Sequence, residues 1–183
     1  MRQTTQRPIN TIKVTRLPKD KDQQVTITVR EMIRITCLEG WAHDLRWLAA
    51  HWKLPHYTQT ETAEAYTTQI RRRVQFEFDP EDIELLRTPS YYARAIRQQQ
   101  AAAGDCDDMA LLLGTLLYSQ GFNVAYVVMA TSPIQREFQH VFTAVRISRE
   151  WRFYDPSIAR GYSTDGLRRR WFYVPFGHGP PAI

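Results

Sequence analysis

The chain has 183 residues, 43% apolar and 23% charged, values that suit one globular domain and are too small for two full cores. No apolar run approaches about 18 residues, so no transmembrane helix is expected, and the polar segment Met1–Pro18 has no apolar stretch of the kind a secretory signal needs. Basic side chains outnumber acidic ones 24 to 19, but residues 1–30 alone hold seven bases against two acids, so the remaining chain is balanced at 17 of each.

The basic excess therefore describes an arm, residues 1–24, that reads as extended with a short strand at Thr11–Thr15. Residues 25–183 read as a single domain. Thr28 and Glu31 have capping-box spacing, followed by Val29, Met32, Ile33 and Cys37 on one helical face. Cys37 is thus expected to be a core cysteine, and Gly40 to stop the helix. Trp41, Leu45, Leu48 and Trp52 mark a second helix ending before Pro55. Thr58 with Glu61 starts a third, whose face is Ala63, Tyr66, Ile70 and Val74. After Phe76-Glu77-Phe78 and the break at Asp79-Pro80, a short helix is predicted from Ser90 to about Gln99.

Met109–Leu117 is apolar nearly all round, the pattern of a helix in the middle of a domain. Gly114 within it predicts close packing, and Gly121 its C-terminal stop. Strands are predicted at Asn123–Ala130, Gln139–Ile147, Trp151–Asp155 and Arg170–Phe176. Helices first and an antiparallel sheet afterwards give an α+β class, with the buried helix packed on the sheet.

Asp105 and Asp108 have N-cap and N3 spacing, which places Cys106 in the first turn of the buried helix. A helix N-terminus stabilises a thiolate, while the neighbouring carboxylates Asp105 and Asp107 oppose it. The hairpin Gln139–Asp155 brings His140 and Asp155 to one face. If Ile147 and Ser148 form the tip they are directly opposite; if Ser148 and Arg149 do, they are diagonal neighbours, with Cβ atoms about 5–8 Å apart either way. That face also carries Phe142, Ala144, Trp151 and Phe153, and as the more apolar one it is expected to cover the buried helix. A carboxylate beside an imidazole fixes its tautomer, and a thiol at the other nitrogen becomes a nucleophile.

The run Gly104-Asp105-Cys106-Asp107-Asp108-Met109-Ala110, with Leu112-Leu113, Leu116-Leu117 and Gly121-Phe122 behind it, resembles the nucleophile helix of the transglutaminase-like cysteine protease superfamily. His140-Val141-Phe142-Thr143-Ala144-Val145 resembles its histidine strand, and Trp151-Arg152-Phe153-Tyr154-Asp155-Pro156-Ser157 its aspartate strand. The likeness covers about residues 60–160. It implies a papain-like α+β core with Cys106 as nucleophile, His140 as general base and acid, and Asp155 orienting the histidine. The implied chemistry runs at a peptide or amide bond through an acyl-thioester, which goes to water in hydrolases and to an amine in transamidases. Phe142 and Thr143 stand where many members carry tryptophan and an acid. For the oxyanion, the Cys106 backbone N–H and the glutamines Gln98, Gln99 and Gln100 are candidates, Gln100 first because papain-like enzymes often place a glutamine there.

The resemblance extends to versions encoded by tailed phages and bacteria. It implies a cytoplasmic protein of a bacterium or infected host, or one carried in a virion. The alternative to an enzyme is a phage structural or assembly protein that keeps the fold as an interaction module and docks a phage or bacterial partner through its arm. No cofactor and no metal are expected: His43, His51 and His56 lack i, i+4 spacing. Nucleic acid is not an expected partner, because Arg71-Arg72-Arg73 and Arg168-Arg169-Arg170 read as solvated faces on a charge-balanced domain. His178 falls in a Gly/Pro-rich tail. Two cysteines, Cys37 and Cys106, are too few for a disulfide framework and point to a reducing compartment.

Overall fold

A computed structural model describes residues 11–14, 18–53, 57–80, 83–134, 137–158 and 166–175. Most of the arm, Pro55, His56, the strand end at Phe176 and His178 lie outside these residues. Asp20 caps the first helix, α1 (Lys21–Glu39), by accepting the Gln23 N–H. The helix therefore begins seven residues before Thr28, and residues 21–24 are helical rather than extended. Thr28 is buried inside it, and Glu31 pairs with Arg34 instead of capping. Helix α2 (His43–Trp52) buries Leu45, Leu48 and Trp52. The expected capping box of Thr58 and Glu61 opens α3 (Gln59–Arg73), with both reciprocal hydrogen bonds present.

Two short strands follow, β2 (Val74–Phe76) and β3 (Glu84–Arg87), then α4 (Pro89–Arg97), β4 (Ala102–Gly104) and α5 (Cys106–Ser119). The earlier strand β1 (Thr11–Val14) pairs antiparallel with β3, so this part of the expected arm lies in a sheet. Strands β2 and β4 pair in parallel. The main sheet is β5 (Asn123–Met129), β6 (His140–Ile147), β7 (Glu150–Tyr154) and β8 (Arg169–Tyr173), antiparallel in the order β7-β6-β5-β8.

Every residue of α5 from Asp107 to Tyr118 is buried, which is what its unbroken apolar sequence demands. Helices α1 to α4 cover it on one side and the sheet on the other. Gly114 has no room for a side chain, since a Cβ there would lie 2.5 Å from the Tyr126 hydroxyl. The close approach is thus made by a tyrosine of β5 rather than by backbone. That hydroxyl is buried and bonded to Thr36 Oγ1 at 2.6 Å, and Thr36 lies 3.2 Å from Thr115 Oγ1, so α1, α5 and β5 share one hydroxyl network.

The face of the sheet against α5 is the opposite of the expected one. Val141, Thr143 and Val145 face the helix, and Thr143 Oγ1 donates to the Ala110 carbonyl at 2.9 Å. Phe142 and Ala144 lie on the other face in a second core cluster with Ala125, Val127 and Met129. Trp151, Phe153, Trp171 and Tyr173 pack over that cluster and against one another, Phe153 edge-on to Phe142 and Trp151 edge-on to Trp171. Apolar content does not decide between faces here, because both are buried. The helix takes the small β-branched face, and the large rings cover one another. Among the described residues no helix is long and apolar enough to cross a membrane.

Candidate active site

Asp105 positions the start of α5. Its side chain accepts the N–H groups of Asp107 and Asp108, filling two of the orphan donors of a helix N-terminus, and does not take up the Cys106 N–H. Cys106 is therefore the first helical residue, partly buried, as its spacing predicts. Asp108 turns inward with no exposure and is held by β3, where the Arg87 N–H and guanidinium each donate to it at 2.7 Å. Burial still raises its carboxyl to about 7. Asp107 is also buried and bonds side chain to side chain with Asp105 and Glu84. Burial first, then these two neighbours, hold its carboxyl well above the usual range. Gly104 before the turn admits no side chain, because Tyr92 and Asp108 fill the space.

The hairpin β6–β7 pairs Thr143 with Tyr154 and Ala144 with Phe153, which is the register with Ser148-Arg149 at the tip. Both tip residues have positive φ, 51° and 72°, as a two-residue type I′ turn requires. His140 and Asp155 are then diagonal neighbours, and His140 Nε2 lies 2.5 Å from Asp155 Oδ2. The second carboxylate oxygen of Asp155 accepts the Ser157 N–H at 2.9 Å, the Ser157 hydroxyl at 2.6 Å and the Ile158 N–H at 3.3 Å. Burial alone would raise this carboxyl. The hydrogen bond and charge of His140, with Ser157, outweigh it and hold Asp155 below its ordinary value.

Pairing of β7 to β6 begins only at Thr143, so the first residues of β6 have no β7 partner beside them. There the Val141 N–H donates to the Cys106 sulfur. Cys106 and His140 line one cleft of about 280 Å³, whose walls are the first half of α1, Glu84, the start of α5 and residues 137–141. Burial pushes the Cys106 thiol up to about 12, and the charges of Asp105, Asp155 and Glu84 add to this against the Val141 hydrogen bond. The resting sulfur is a thiol, and the helix N-terminus does not overcome its surroundings.

Sequence reasoning did not find four contributors. Arg71, from a triplet read as solvated, donates to the backbone carbonyls of Asp155 (2.7 Å), Pro156 (3.3 Å) and Ile158 (2.8 Å), pinning the turn that holds the aspartate. Glu84 and the α1 residues Lys21 and Gln24 line the cleft, from segments with no motif to mark them. Gln98, Gln99 and Gln100, by contrast, are exposed at the end of α4 and do not line the cleft; the Gln100 N–H closes that helix on Ala95. Asp105, Asp107 and Asp108 form a group with the geometry to hold a cation, but Asp108 already binds Arg87 and burial disfavours the charged form of Asp107.

No protein-family model matches the sequence, and neither does any curated protein. Two solved structures resemble the fold. One, a candidate cysteine protease from Cytophaga hutchinsonii, aligns over 80% of this chain and 47% of its own, with 17% identity and a TM-score of 0.51. The other, a candidate protease from Parabacteroides distasonis, aligns over 69% of this chain and 26% of its own, with 10% identity and a TM-score of 0.48. The chain thus spans about a quarter to a half of the length of these two proteins. At 17% identity the likeness is one of fold: an α+β arrangement of the cysteine-protease kind.

Proposed function

We propose that the chain is a thiol-dependent hydrolase or acyltransferase acting on peptide or amide bonds. The observation that carries this reading is that His140, bound to Asp155 through Nε2, lines the same cleft as Cys106. Nδ1 remains for the thiol. In this reading Cys106 attacks the acyl carbonyl as its proton passes to His140, and the proton then goes to the departing amine. The resulting acyl-thioester is released to water that His140 deprotonates, or to an incoming amine. Asp155 stays ionised and stabilises the imidazolium. In this reading the Cys106 N–H, which the Asp105 side chain does not take up, donates to the oxyanion. Because the resting sulfur is a thiol, transfer of its proton belongs to the attack itself rather than to a preformed ion pair.

The sequence likeness to the transglutaminase-like cysteine protease superfamily supports the same assignment of the three residues, and the fold agrees with it. The reading is tested with p-nitrophenyl acetate, which needs no knowledge of the natural substrate. The expected result is an early release of nitrophenolate with the acetyl group located on Cys106 by peptide mass analysis. Cys106→Ala removes that adduct, and His140→Ala slows its formation by about 10²- to 10⁴-fold. Acetylation of Cys37 at the same rate as Cys106, or no dependence on His140, would sink the assignment.

A further inference from the structure

The acids around the cleft fall into two groups. Asp79 and Asp108 face Arg87, Asp155 faces His140, and Asp22 faces Arg170. Glu84, Asp105 and Glu137 line the cleft, and among the described residues none of the three has an ion-pair partner. Among the described residues, Lys21 at the start of α1 is the one lysine or arginine on the cleft wall. Arg168 and Arg170 stack on the ring of Phe138, itself a wall residue, and Arg170 is engaged by Asp22. Asp107, whose carboxyl burial pushes up, hydrogen-bonds to Asp105 and Glu84 and brings them no positive charge. Two half-buried carboxylates thus flank the sulfur, neither with an ion-pair partner among the described residues, inside a cavity large enough for one or two amino-acid residues.

We propose that the substrate segment seated in this cleft carries a positive charge, a lysine or arginine side chain next to the acyl carbonyl, held by Glu84 and Asp105. The inference rests on the thiol chemistry above and specifies its substrate class. It also gives the charge arrangement a mechanistic use. Negative charge near the sulfur disfavours the thiolate, and a bound cation offsets that charge at the moment of attack. An acidic or neutral segment covers the carboxylates without bringing them a counter-charge, which is a penalty against the wrong substrate.

The test uses three matched peptidyl acyloxymethyl ketones that differ only in the residue bearing the ketone: arginine, norleucine or glutamate. The Cys106 sulfur displaces the acyloxy group as a carboxylate, and a thioether remains. Arginine is expected to label Cys106 roughly tenfold faster than norleucine, with glutamate slowest. The arginine-to-norleucine ratio should shrink in Glu84→Gln, and in the unaltered protein as salt rises from about 0.02 M to about 0.5 M. The salt series needs no variant to fold. Equal labelling of Cys106 by all three, or an arginine preference indifferent to both salt and Glu84, overturns the charge assignment. With acetylation by p-nitrophenyl acetate intact, that result leaves the thiol chemistry standing. Labelling by none of them, together with failed acetylation, overturns both.

Discussion

Asp107 is 4% exposed and lies against Asp105 and Glu84, so the folded protein holds its carboxyl proton to higher pH than the unfolded chain, which releases it at about pH 4. Between that pH and the raised folded value, the native state binds more protons than the unfolded one. Stability contributed at this position therefore falls as pH rises. Asparagine reproduces the protonated acid, with an NH₂ group to donate to its neighbours and a carbonyl to accept the Asp108 N–H that Asp107 Oδ1 accepts at 2.7 Å. Asp107→Asn is expected to melt with the parent protein near about pH 4 and to be more stable at about pH 8, by on the order of 1 kcal/mol. Thermal melts at the two pH values check it; a variant equally destabilised at both would show that the aspartate is ionised in the fold. Asp155 runs the other way. Its depressed carboxyl adds stability above the unfolded value, and that stability is lost as pH falls through the folded one.

Arg71 shows what a helix contributes to a loop on the far side of the site. It stands in the last turn of α3 and closes three hydrogen bonds on the segment that follows β7, so the orientation of Asp155 depends on two elements and not on the hairpin alone. Arg71→Met keeps the aliphatic stem and removes the fork. It should slow acetylation of Cys106 by tenfold or more, at a stability cost of about 1–3 kcal/mol. Arg71→Lys, with one donor group in place of a fork, should fall between. An unchanged acetylation rate in Arg71→Met would mean that Ser157 and His140 hold the carboxylate without help. Such contacts explain what sequence could and could not show. Caps are local, so Thr58 with Glu61 and Asp105 ahead of Cys106 were legible, and the hairpin turn confined His140 and Asp155 to one face. Arg71 looks like its neighbours Arg72 and Arg73, because its partners lie more than 80 residues away. Strands β2, β3 and β4, of three or four residues, are too short for alternation to register. Alternation in β6 separated two faces correctly but could not say which one meets α5, since both are covered.

At the scale of the molecule, the N-terminal segment is joined to the site rather than appended to it. Strand β1 pairs with β3, and β3 carries both Glu84 on the cleft and Arg87, which holds Asp108 in the first turn of α5. The first turns of α1 then supply Lys21 and Gln24 to the cleft wall and Asp22 to the ion pair with Arg170 of β8. Most of the buried side chains around α5 come from α1 beyond residue 28, the other helices and the main sheet, and Val74, Leu86 and Ala102 of the short strands complete them. Deletion of residues 1–14 should therefore leave a cooperative melt at lower temperature. The loss expected is about 1–3 kcal/mol, since β3 keeps its backbone bonds from Leu85 to Asp79 and from Arg87 to Asp108. Deletion of residues 1–24 removes the cleft wall as well, and should lower Cys106 acetylation beyond any loss seen with the shorter deletion. Calorimetry and acetylation rates on the two truncations separate these effects. If the longer deletion melts and reacts like the full chain, residues 1–24 return to the status of a dispensable basic arm, and β3 and the cleft hold their shape unaided.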